Sequence, residues 1–201
     1  MRSLVESLES RQLFSASLGA VTQDATVLQS NSQTTHADLA NWKKQANSAA
    51  QTLFADLHHK GSGTSARSHV RVFSADEIAG FRKVSGDIHK LLSVTVKETV
   101  AIVADIKRIL KKSTPALASK LTADIARLTT DTSTMTATTS TDAQAANTLL
   151  QKDLVAIMAI PSMNNDATKA KTALMSGLQT VMMDLTTFSA SVTKLATDAS
   201  A

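Results

Sequence analysis

Residues 18–53 read LGAVTQDATVLQSNSQTTHADLANWKKQANSAAQTL. Leu18, Val21, Ala25, Leu28, Ser32, Thr35, Leu39, Trp42, Ala46, Ala49 and Leu53 recur in steps of three and four. That is a heptad-like seam about five heptads long, and only a helix keeps it on one face. The segment stops at His58-His59-Lys60, followed by Gly61-Ser62-Gly63. Basic residues in a last turn and glycine just beyond it are helix-end signals.

The same periodicity returns three times. Residues 61–73 are expected to form a loop, with an extended piece at Val70-Arg71-Val72. Ser74-Ala75-Asp76-Glu77 then has the form of a capping box, with Phe73 and Ile78 placed for a hydrophobic staple. The second helix is expected over about 75–112, with Ile78, Phe81, Ile88, Leu92, Ile102, Ile106 and Ile109 on its apolar face. Ser113-Thr114-Pro115 is a stop and restart, because a hydroxyl cap followed by proline favours a new helix. The third helix is expected over about 115–160, seamed by Leu117, Leu121, Ile125, Leu128, Thr132, Met135, Thr139, Asp142, Ala146, Leu149 and Ile157. Pro161 ends it, and Asn164-Asn165-Asp166 supplies the next cap. The fourth helix is expected over about 165–198, along Leu174, Leu178, Val181, Leu185, Phe188, Val192 and Leu195.

Four long helices on short connections must run antiparallel to their neighbours. The expected fold is all-α: an elongated up-down-up-down four-helix bundle with heptad-like seams. It occupies residues 17–201 as one domain, behind an N-terminal segment at 1–16. The tract Thr129–Thr141 is rich in mediocre helix formers. The seam nevertheless stays in phase across it, so it is expected to be helical.

Folding the helices antiparallel would bring their midpoints together. Ser32, Thr35, Thr95, Thr99, Thr132, Thr139 and Asp142 lie near those midpoints and define a candidate interior polar layer. One reading is a tightly packed layer whose hydroxyls bond the backbone one turn earlier. Another is a hydrated interior that holds an acyl chain or other apolar small molecule. A third is oligomerisation through this region.

Composition removes several chemistries. There is no cysteine, so thiolate metal sites, disulfides and cysteine nucleophiles are excluded. Glutamate occurs only at Glu6, Glu9, Glu77 and Glu98, and none has histidine three residues later. Di-metal bundle enzymes need such pairs. There is no phosphate-binding glycine loop. His58, His59 and His69 could reach one metal across the first connection, although a solvated basic turn explains them as well. No catalytic residue, metal or cofactor is assigned. No segment approaches the roughly 20 apolar residues that span a bilayer.

Charge is uneven. Residues 67–112 hold ten Lys or Arg against five acids. Polyanion binding by the second helix is therefore one reading. Because Asp76, Glu77, Asp87, Glu98 and Asp105 interleave with the cations, an ordinary solvated face is the other. Aromatics are 3% of the chain, too few for a single-strand stacking platform, so nucleic acid is disfavoured.

Residues 6–16 read ESLESRQLFSA. Glu6, Leu8, Glu9, Arg11, Leu13, Ser15 and Ala16 resemble the short E-x-L-E-x-R-x-L-L-S-A motif of exported and surface proteins of planctomycete bacteria. Phe14 stands where leucine is commoner. The resemblance covers only these residues and implies export to the envelope or outside the cell. An amphipathic lead-in helix is the plain alternative. Together these readings predict a non-enzymatic, exported bundle with an interaction or structural role. A carrier of a lipid or other apolar molecule is the alternative, and polyanion binding the weaker one.

Overall fold

The structure, a computed structural model, describes residues 2–59, 64–112 and 114–200, with side chains from Leu18 onward except His59. It is an all-α four-helix bundle: α1 Arg2–His59, α2 Thr64–Lys111, α3 Pro115–Met158 and α4 Asn164–Ser200. No strand occurs among the described residues. The side chains of the motif residues Glu6 to Ala16 lie outside the described residues.

The largest departure from the sequence reading is at the start of α2. The helix begins at Thr64, so residues 64–73 of the expected loop are helical, and so is the expected extended piece at Val70–Val72. Ala66, Val70, Phe73, Phe81, Val84 and Ile88 are all buried, in steps of three, four or twice four. A seam that continues through Ser74–Glu77 outweighs a local capping signal there. The staple is absent too, because Phe73 is core and Ile78 is 54% exposed.

Two smaller shifts have clear causes. The expected α3 seam runs through Asp142 and Leu149, but Ala143 and Leu150 are buried and Leu149 is exposed. A straight helix drifts about 20° per heptad against a strict seven-residue seam, so Ala143 and Leu150 come to share the inward face with Ala146 and Ile157. At the last connection α3 ends at Met158 rather than 160. Asn164 does not cap its own helix. Its side-chain amide donates back to the Met158 carbonyl at 2.7 Å, while Ala167 N–H bonds the Met163 carbonyl. The Thr114–Pro115 restart forms as expected, with Leu117 N–H donating to Thr114 Oγ1 at 3.3 Å. The Thr129–Thr141 tract is helical, and Thr129 and Thr141 donate to the carbonyls of Ile125 and Ala137.

Packing gathers the chain into two compact units. The first comprises Met1–Gln33, Lys90–Thr136 and Thr186–Ala201. Val21, Leu28, Leu91, Ile102, Leu128 and Phe188 form its core. Its helices are antiparallel in register: Asp24 and Asn31 of α1 meet Lys194 and Ser191 of α4. Likewise Thr95 and Asp105 of α2 meet Thr132 and Lys120 of α3.

The second unit comprises Thr34–His89 and Ala137–Leu185. Trp42 and Phe81 pack edge-to-face here, with centroids 4.6 Å apart. Two glycines permit close helix approach. A Cβ at Gly80 would stand 2.8 Å from that of Ala146, and one at Gly177 would overlap the Trp42 ring.

Candidate functional site

The feature that organises this molecule is where its carboxylates go. All fifteen acids with described side chains are buried or half-buried, from Asp24 to Asp198. Glu77, Glu98, Asp105 and Asp124 are no more than 6% exposed. Every described Lys and Arg is exposed except the half-buried Lys171. Chain length explains part of this segregation. An aspartate beside the seam has no stem with which to leave the interface, whereas lysine and arginine lay theirs along it and reach water. The acids of α2 therefore do not interleave with its cations on the solvent face, contrary to the sequence reading.

Twelve of the fifteen meet one another in pairs across antiparallel helices. In the second unit Asp76 of α2 faces Asp153 of α3, and Asp87 faces Asp142. Both helices step by eleven residues between these pairs. In the first unit Glu98 faces Asp131, and Asp105 faces Asp124. Both helices step by seven there. Eleven residues are close to three turns and seven close to two, so each step returns to the same face. The α1–α4 contacts follow the same scheme, with Asp24 facing Asp198 in the first unit and Asp38 facing Asp184 in the second.

Compensation divides the pairs into two kinds. Some are bridged by a cation. Lys194 donates to Asp24 at 2.7 Å and to Asp198 at 2.8 Å. Lys120 bridges Asp105 and Asp124, and Arg127 bridges Asp124 and Glu98. Lys83 holds Asp142 at 2.7 Å. The hydrogen bonds from these lysines hold Asp124, Asp142 and Asp198 below the ordinary carboxylate range. Glu98 moves the other way, chiefly by burial and then by Asp131, despite Arg127.

The second kind holds protons instead. Burial first, then Asp76, pushes Asp153 up to about 6, with Lys152 and His69 opposing. Burial first, then Asp38, pushes Asp184 up to about 6. Two carboxyls that share a dry interface cannot both ionise cheaply, so one keeps its proton up to about pH 6. Such a pair can store and release a proton near neutrality. Attack on a substrate would also require access. Two surface grooves, about 690 Å³ between α1 and α4 and about 630 Å³ between α3 and α4, are lined by other residues.

Thr35, Thr95, Thr99, Thr132 and Thr139 are buried and Ser32 is half-buried. Asp142 is mostly buried and turned to Lys83. The seven are divided between the two units. In the first, Thr95 Oγ1 donates to the Leu91 carbonyl at 2.8 Å and lies 3.3 Å from Thr132 Oγ1. That is the packed arrangement with bonding one turn back. His58 is exposed and His69 half-buried, and His59 lies outside the described side chains. Among the described residues no cluster of three or more His, Asp or Glu has metal-holding geometry, and no helix is long and apolar enough to cross a membrane.

The carboxyl pairing escaped the sequence reading. Its signal was the eleven-residue spacing shared by Asp76, Asp87 and Glu98 and by Asp131, Asp142 and Asp153. Comparison with family models, curated proteins and solved structures returns no match.

Proposed function

We propose that this is a non-enzymatic, exported helical bundle with an interaction or structural role, and that it contacts an anionic surface in the envelope or outside the cell. One observation carries the reading: every described Lys and Arg but Lys171 is exposed, whereas every described acid is buried or half-buried. A net charge of +4 with the cations outermost favours polyanions by long-range attraction. Export rests on the likeness of residues 6–16 to the planctomycete motif.

Among the described residues the exposed surface offers nucleic-acid bases little to stack on. Trp42, Phe73, Phe81 and Phe188 are buried, and Phe54 is half-buried. An acidic polysaccharide is the partner that needs only spaced cations and hydroxyls. The test is retention of the full chain on uronate- or sulfate-bearing polysaccharide across a salt series, beside a neutral polysaccharide. Tight retention at low salt that collapses as salt rises is expected. Equal retention on the neutral matrix, or none on either, overturns the anionic-surface reading. A tagged chain confined to the cytosol overturns export.

A further inference from the structure

The same charge map leaves one face of the second unit without exposed charge. Along α3 from Ala137 to Gln151 the only charged residue is Asp142, which is turned to Lys83 of α2. Along α4 from Thr172 to Met183 there is none. Between these stretches runs the groove of about 630 Å³, lined by Gln144, Asn147, Met175, Gln179 and Met182 among others. Met175 is 53% exposed and Met183 63%. The geometry points to this α3–α4 face as the surface on which a second copy of the chain docks, face to identical face.

Four features favour a copy over another occupant. Any face that carries the exposed lysines and arginines repels its duplicate, and this one does not. Its polar groups are amides and hydroxyls, which both donate and accept, so the face is complementary to itself as a two-fold contact requires. Its threonines are inexpensive to bury, because Thr141, Thr148, Thr172 and Thr180 already donate to carbonyls of their own helices. The exposed methionines are adaptable apolar contacts for the centre. Fifteen residues at 1.5 Å each give a length of about 22 Å, and two adjacent helices a width of about 20 Å. The resulting ~400 Å² per copy is half of a standard interface, so association is weak and concentration-dependent.

Sedimentation equilibrium of the full chain tests this. The mass should rise from 21.2 kDa toward twice that value with concentration. Met175→Lys places like charges across the contact without loss of helix propensity and should weaken dimerisation at least about tenfold. High salt should partly restore it. Val72→Lys, on an exposed position of α2, should leave it unchanged. A monomer at every concentration overturns the proposal. So does a dimer indifferent to Met175→Lys, or one that Val72→Lys disrupts equally. Circular dichroism identical to wild type shows that each variant is folded.

Discussion

At the scale of single residues, two glycines that look alike in sequence do opposite things. Both Gly86 and Gly177 sit inside helices, where alanine is preferred by about 1 kcal/mol. A Cβ at Gly86 meets nothing within 4 Å. A Cβ at Gly177 would meet the Trp42 ring and the Gln45 amide oxygen, and Trp42 is only 1% exposed and cannot yield. Gly86→Ala should therefore raise stability by up to about 1 kcal/mol. Gly177→Ala should lower it by roughly 1–3 kcal/mol, as overpacking does. Urea unfolding of both variants decides the matter, and equal shifts would contradict the close approach of α4 to Trp42. Carboxylates show a similar divergence. Asp124 and Asp153 both lie at the α2–α3 interface, yet Lys120 holds the first low while burial and Asp76 raise the second.

At the scale of elements, helix ends are where local signals and tertiary packing compete. Thr114-Pro115 and Ser74–Glu77 both read as starts, but only the first is one. The difference lies in what precedes them. Residues 66, 70 and 73 continue the α2 seam upstream of Ser74, whereas Lys111 and Lys112 before Thr114 are exposed and offer nothing to bury. Thr114→Ala should cost about 1 kcal/mol by loss of a cap. Ser74→Ala should change stability by less than about 0.5 kcal/mol, because a half-buried position within a helix has no cap to lose. A cap-sized loss at Ser74 in thermal unfolding would show that α2 begins there after all. Helix number and antiparallel order were legible because apolar residues recur at helical steps over tens of residues. The facing of Asp76 with Asp153 was not. A partner on another helix is set by register, and register follows from where α2 begins and α3 ends.

At the scale of the whole molecule, the two kinds of carboxyl pair give stability opposite dependences on pH. Asp153 and Asp184 titrate near 6 when folded, against about 3.9 in an unfolded chain. Between those values the folded protein holds more protons, so their contribution is fully present below about 3.9 and is lost as pH rises through 6. Glu77 and Glu98, also raised by burial, act in the same sense. Asp124, Asp142 and Asp198 are lowered, so they stabilise above the unfolded value and lose that contribution as acid protonates them. Stability should therefore peak between about pH 4 and 5 and decline toward neutrality. With allowance for partial solvent screening, each raised aspartate accounts for about 1 kcal/mol. At this chain length the pair corresponds to a fall of roughly 5 °C in Tm from pH 5 to pH 7.5. Asp153→Asn with Asp184→Asn replaces each protonated carboxyl by a neutral near-isostere. The double variant should melt higher than wild type at pH 7.5 and show a flatter profile. The groups facing these sites are Asp76, His69 and Lys152 at Asp153, and Asp38 at Asp184, and all remain in place. Melting curves across pH 4.5–8 distinguish the outcomes. A wild type that melts higher at pH 7.5 than at pH 5, or a double variant with the wild-type slope, would show that the unbridged pairs do not hold protons between the helices.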